Sequence, residues 1–472
     1  MASEIRVNKI THTAGVGTIT TSADGIVVAG IVTANNFSGN LTGTVTGSGA
    51  NLTSLPAGQL TGTVADARLS TVSSSKLSGA LPALDGSALT GVGHSFGNSS
   101  INTSGIITAT AFIPSQGQLS NRNKIINGGM KIFQRGTSAQ RSGGDDGYYY
   151  GIADRWAIRM HSSVAQTSYS KDTSNNPEGF GSNQKSVRSN AGSSNAGKYY
   201  VFDTKLEGQD LQDFAKGTSD AKEFTLSFYV KTGVSGVYTC ELRDLDNTRT
   251  VVKQYTVSNG NWNRYTLTFP GDTTGKFDNN NGASLWVRFW LAAGTNFTSG
   301  TSQTTWASSV DANICPGQTA QVGDNVADTW QITGVQLEVG SVATPFEHKS
   351  FIEDKLRCYR YYYKPERSSN QLDLNGAGHR VADTMGAVVQ AYPWPVEMRV
   401  SPTVSFDDNA GNSNRFAVNG SDNNTYTNQS LSLQQNVQGI MGAFQYPHGL
   451  TGISENESFR LWAYNFNASA EL

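Results

Sequence analysis

Three groups of side chains in this sequence are of the types that grip a polar, ring-shaped ligand. Tyr148, Tyr149 and Tyr150 are consecutive; Trp286, Arg288 and Trp290 recur at every second position; Arg415, Phe416 and Tyr426 stand among Asn, Ser and Asp. Aromatic faces and a planar guanidinium suit a sugar, which offers both C–H and hydroxyl groups. A Trp pair of this kind more often lies beneath a neighbouring element or a subunit, so the 286–290 trio is open to both readings. Residues 407–430 read as a polar loop around a few stacking groups, a composition suited to recognition at a distal tip.

Chemistry beyond binding finds little support. Carboxylates neighbour one another at Asp145 and Asp146, Asp244 and Asp246, and Glu353 and Asp354. Cleaving a glycan needs an acid and a base or nucleophile across a groove, whereas adjacent residues on one strand point to opposite faces. His12, His94, His161, His348, His379 and His448 are scattered without an HExxH pattern, and no GxSxG motif or full phosphate-binding loop occurs. Cys240, Cys315 and Cys358 are odd in number and far apart, which fits buried free thiols better than a disulfide framework or a metal site. A non-enzyme without a cofactor is expected.

The elements that must position these groups are strands. The sequence holds 51 Gly, is rich in Ser, Thr and Asn, and carries few charges, an all-β composition of several domains. The formal net charge of −2 offers nothing to nucleic acid phosphate or to an anionic membrane. No secretory signal and no apolar run of membrane-spanning length is visible, so synthesis in a reducing cytoplasm without membrane insertion is expected.

Residues 1–120 contain only Phe37, Phe96 and Phe112 as aromatics and repeat a Leu-Thr-Gly phrase at Leu41, Leu60 and Leu89. Val, Ile and Thr alternating with small polar residues suit strands, but one copy could hardly bury enough surface to offset chain entropy. Several chains sharing one core would solve this, so residues 1–36 are expected to begin, and 37–120 to form, a thin repetitive β shaft.

From residue 121 the chain carries core-forming rings. Strand-like runs cover 124–133 and 152–160, then 198–205, 223–231, 236–242, 263–269, 284–291 and 329–339, the pattern of a jelly-roll-like sandwich over 121–349. Phe224, Leu226, Phe228 and Val230 predict a buried face opposite a solvated one, and Gly334 predicts a bulge. Residues 350–472 read as a helix followed by a small β tip. Ser350 and Glu353 form a capping box, Ile352, Leu356, Tyr359 and Tyr363 make an apolar side expected to pack on the sandwich or on a symmetry axis, and Pro365 ends the helix. The closing strand suggests a terminus tied down.

The phrases NKIINGGMKIFQRGTS followed by ADRW, GVQLEVGSVATPFEH and CYRYYY resemble the distal module of bacteriophage tail fibre proteins, and WPVEMRVSPTVSF with FNASAEL is similar to their C-terminal ends. SEIRVNKITHTAGVG looks like the N-terminus of fibre-like proteins of phages of cyanobacteria, and TWQITGVQLEV also resembles the last strand of jelly-roll carbohydrate-binding modules. The resemblance implies an elongated homotrimer in the virion, assembled in the host cytoplasm. Its N-terminus would attach to tail or adaptor proteins, and its distal domains would recognise a host-surface polysaccharide or lipopolysaccharide. By the same resemblance calcium is compatible, with no ligand residues assigned. A polysaccharide-cleaving tailspike and a purely structural tail component are the alternatives.

Overall fold

The computed structural model describes residues 19–22, 25–28, 31 and 120–472, apart from 143–146, 162–165, 191, 193–194, 259, 366–370, 380–386, 389–391, 409, 420–424, 430–431, 437–439 and 446–457. The chain divides into two compact units, Met1–Ile106 and Ile107–Leu472. In the first, the described residues form an antiparallel pair, Ile19–Ser22 with Gly25–Val28. The expected attachment segment and the repeated Leu-Thr-Gly phrases otherwise lie outside the described residues.

The second unit is built on a β-sandwich of two six-stranded antiparallel sheets. In order across the first sheet run Ala307–Ser308, Arg249–Val257, Gly236–Asp244, Ala283–Ala293, Tyr199–Glu207 and Ala157–His161. The second runs Asn263–Phe269, Phe224–Thr232, Thr329–Val339, Asn183–Arg188, Gln166–Asp172 and Ser138–Ser142. Their facing residues make one core: Phe202, Leu242, Val251 and Phe289 from the first sheet meet Leu226, Phe228, Trp330 and Ile332 from the second. Trp156, fully buried, stacks on Phe202 with ring centroids 4.7 Å apart.

Alternation explains most of this, and its exceptions have local causes. Phe224, Leu226, Phe228 and Val230 are buried as expected, but the opposite face of that strand is covered too: Thr225 donates to the Gly340 carbonyl and Ser227 accepts from Arg264. Gly334 does sit at a break in register between Thr333 and Gln336, with φ +64°. Residues 124–133 are not a strand. Asn127 adopts φ +55° and its buried amide donates to the Ile132 and Asp154 carbonyls while accepting from the Lys131 and Ile132 amides. One side chain thus satisfies backbone groups that a ladder would otherwise pair. Gly128 packs so tightly here that a Cβ would fall 2.1 Å from the Val335 carbonyl oxygen. Of the 152–160 run, Ala157–His161 is the strand and the residues before it turn.

The helix spans Phe351–Tyr359, and Ser350 caps it by accepting from the Glu353 amide. It stops six residues before Pro365, because Tyr362–Tyr363 leave it to pair with the strand Ser458–Ser469. The expected apolar side divides: Tyr363 is buried and Tyr359 half-buried, but Ile352 and Leu356 do not pack on the sandwich. Ile352 is 58% and Leu356 37% exposed, as is neighbouring Phe351 at 56%, while Asp354, Lys355 and Cys358 face inward. Cys358 packs with Ile126, Ile132 and Tyr361. All three cysteines are free and buried, and burial pushes each thiol well up.

Ser458–Ser469 also pairs with Gln371–His379, Thr403–Asp407 and Phe416–Asn419. The 407–430 stretch is therefore no simple loop: Phe416–Asn419 and Thr425–Gln429 form a hairpin. After the strand Ser458–Ser469 the Ala470 amide donates to the Tyr361 carbonyl and Arg399 donates to the carbonyls of Ala470 and Glu471.

Candidate functional site

The outer face of the first sheet gathers aromatic and charged groups in rows set by strand register. Side chains alternate along each strand, so residues two apart share a face. Trp286 lies between Lys205 and Arg243 on its two neighbours, and Arg288 lies between Asp203 and Glu241. Arg159 is opposite Val201 in the next row, level with Trp290.

The loop before Ala157–His161 lies over one end of these rows. Tyr149 exchanges two backbone hydrogen bonds with Ile158, both 3.0 Å, which anchors the loop to the edge strand. With Tyr149 turned toward Tyr169 and the core, Tyr148 and Tyr150 fall on the opposite side and stack at 6.2 Å. Tyr148 is 39% exposed and its ring lies 5.8 Å from that of Trp286, which is itself buried. The Lys205 ammonium stands 4.0 Å from the Tyr148 ring centre and the Arg159 guanidinium 4.9 Å, so two cations share the aromatic pair. Tyr150 donates its hydroxyl to the Leu472 carbonyl at 2.7 Å, and Lys205 Nζ donates to the same oxygen at 3.0 Å.

The rest of the trio read from the sequence is closed off. Arg288 is buried and paired with Glu241 at 2.9 Å, and the same carboxylate accepts from the Trp290 indole at 2.8 Å. Trp290 lies in a small satellite core with Val201, Val252, Ile314 and Cys315, under Phe297. Of the two readings left open for the trio, the buried one describes Arg288 and Trp290 and excludes them as exposed ligand groups: Glu241, on the next strand, satisfies both polar groups and lets them sink. Arg415 is half-buried ahead of the C-terminal hairpin. Phe416 and Tyr426 lie on its two strands, in register with Gln429 and Val418; their side chains are outside the described residues.

Asp203, Lys205, Arg159 and Arg243 complete the patch and were not singled out from sequence. The first two share the face of a strand that alternation reveals, but only register brings them beside Trp286. Asp203 is fully buried, and burial pushes its carboxyl up to about 6 despite Arg288, the Trp286 indole and Lys205. Asp154, behind the same loop, is likewise pushed up to about 6 by burial against the pull of Arg135 and Gln134.

These two groups predict a pH dependence. With an ordinary value of 3.8 in the unfolded chain, both hold protons in the folded protein across a window where the unfolded chain has released them. Stability therefore falls as pH rises from about 4 to about 6 and then levels, by on the order of 3 kcal/mol per group at most. Glu207 and Asp272, held below the usual range, act at lower pH. The melting temperature should be higher at pH 5 than at pH 7, and Asp203→Asn should shrink the difference. A melting temperature that climbs from pH 5 to 7 would refute the assignment.

Among the described residues no cluster of three or more His, Cys, Asp or Glu is arranged to hold a metal, and no helix is long and apolar enough to cross a membrane. No family model matches this chain, and no curated protein does. Solved structures similar to it include a family 11 carbohydrate-binding module from Clostridium thermocellum in complex with a β-1,3-1,4-mixed-linked tetrasaccharide (13% identity, 45% of this chain and 98% of that one, TM-score 0.23). A xylan-binding domain from Paenibacillus barcinonensis (11% identity, 43% and 99%, TM-score 0.22) and a cyclase from Fischerella sp. (13% identity, 47% and 98%, TM-score 0.26) are similar to the same degree. Likeness at this level says nothing of what this chain binds.

Proposed function

We propose that this chain is a receptor-binding fibre protein of a phage tail, which holds a host-surface glycan on its sandwich without cleaving it. The observation that carries the reading is Tyr148: an aromatic ring left partly exposed on the outer face of a sheet, backed by Trp286 and flanked by Lys205 and Arg159. Ring faces and edges pack on sugar C–H groups while fixed cations and hydroxyls take the sugar oxygens. One such shallow site binds weakly, and repetition on a homotrimeric fibre would make attachment firm. The fibre assignment rests on the sequence phrases at 121–156 and 329–350. Trimer formation is favoured by the apolar residues Phe351, Ile352 and Leu356, which a single chain leaves exposed.

Two measurements test this. The intact protein should have a solution mass of about three times 50.4 kDa; a clean monomer would end the fibre reading. On an array of bacterial surface polysaccharides, Tyr148→Ala should bind roughly tenfold or more weakly than the parent. Unchanged binding would move the site elsewhere, and release of reducing ends from a bound polysaccharide would replace adhesion by hydrolysis.

A further inference from the structure

Resting on the glycan-binding reading above, we propose that the Tyr148 patch selects an acidic sugar, one whose ring bears a carboxylate or sulfate, with Arg243 as the group that takes the charge. Arg243 is half-buried and directly opposite Trp286 across the sheet, and it makes no hydrogen bond or ion pair among the described residues. Its neighbours in the grid are engaged. Arg288 is answered by Glu241, Lys205 donates to the Leu472 carbonyl, and Arg159 donates to the Tyr199 hydroxyl at 3.3 Å.

Of the cations on this face, Arg288 is answered by Glu241. Arg243 acts on the Tyr148 hydroxyl from the far side of the Trp286 row and has no such carboxylate among the described residues.

A neutral sugar docked on Tyr148 would strip water from Arg243 and return no counter-charge, which costs free energy and selects against it. An anion on the ring would meet a planar guanidinium that can donate two parallel hydrogen bonds, the geometry that favours Arg for carboxylates and sulfate-like oxyanions. The ring fixes where the sugar lies and the guanidinium decides which sugar is kept.

The test uses the full chain on an array that pairs each uronate-, sialate- or sulfate-bearing glycan with its carboxyl-reduced or desulfated counterpart. Acidic members should bind about tenfold or more tightly than their neutral partners, and added salt should narrow the gap. Arg243→Gln should erase the preference while leaving the melting temperature unchanged, and Arg243→Lys should keep part of it. The carboxylate and sulfate arms distinguish the two sources of charge. Equal binding of neutral partners, still abolished by Tyr148→Ala, would overturn the acidic selectivity and leave glycan binding standing. An acid preference that survives Arg243→Gln would overturn the role of Arg243. Binding to no member of the array would overturn both readings.

Discussion

Replacing Lys216 by methionine is expected to destabilise the sandwich by about 3–5 kcal/mol, the cost of leaving a buried charge without its partner. The ammonium is completely enclosed, as is the Asp244 carboxylate that it meets, and Asp272 lies 3.1 Å away. It also donates to the Thr274 and Gly275 carbonyls, so one side chain fastens the start of Gly217–Lys222 to the 272–278 loop and to the end of Gly236–Asp244. Asp272 would survive the substitution because Arg249 grips both its oxygens, at 2.7 and 3.0 Å. Burial pushes the Asp272 carboxyl up, but Arg249, the Thr274 amide and Lys216 outweigh it and hold it below the usual range. Asp244 is the group orphaned, left with the backbone and side-chain amides of Asn247. Urea denaturation of Lys216→Met, Asp244→Asn and the double variant measures this. The double variant should lose less than the sum of the singles, since the two groups act as a unit. A single-variant loss below about 1 kcal/mol would mean that water already reaches the ammonium.

How far such features can be read from sequence depends on the range over which they are decided. The strands Asn263–Phe269 and Thr329–Val339 coincide with the alternating runs because alternation is local and strong there. Residues 124–133 look equally strand-like, yet a single Asn in the left-handed region, followed by two Gly, turns the chain and supplies its hydrogen bonds. The helix shows the limit of a face rule. Ile352 and Leu356 share a stripe, but it is Cys358 that packs beside Ile126 and Ile132, with Asp354 and Lys355 buried on the same helix. The binding patch was half visible. Parity places Trp286, Arg288 and Trp290 on one side of a strand, whereas Lys205, Arg243 and Glu241 join them only through pairing with strands some 80 and 40 residues earlier, and no local pattern encodes that register.

Replacing Glu471 by alanine should cost about 3–5 kcal/mol for the same physical reason as Lys216→Met, and should also weaken ligand binding. Arg155 is almost wholly buried and pairs with Glu471, lies 3.5 Å from the Tyr361 ring centre and donates to the Lys205 carbonyl at 2.7 Å. Burial pulls its pKa down and Glu471, with Tyr361 and Tyr150, outweighs that; the guanidinium is charged with or without the carboxylate, and Glu471 is what answers the charge. Arg135 reaches the other oxygen of Glu471 at 3.0 Å. The opening stretch of the sandwich, at Arg135 and Arg155, is thus fastened by one carboxylate to the residues that follow the strand Ser458–Ser469. Without that carboxylate Arg155 keeps a full charge in a site water does not enter, and the segment after Ser469 loses one of its anchors, keeping the bonds from Arg399 and to Tyr361. Leu472 is the next residue, and its carbonyl holds both the Tyr150 hydroxyl and Lys205. Release of that segment would free the Lys205 ammonium from its place over Tyr148, so the defect should reach the ligand patch. Thermal denaturation of Glu471→Ala and Glu471→Gln, with hydrogen exchange over Ser458–Ser469, separates the two consequences. Glutamine keeps hydrogen bonds to Arg155 but not the charge, so its loss should be smaller than alanine's. Stability lost with glycan binding fully retained would show that the Tyr148 patch is held by its own sheet alone, through the Tyr149–Ile158 bridge and the Trp286 row.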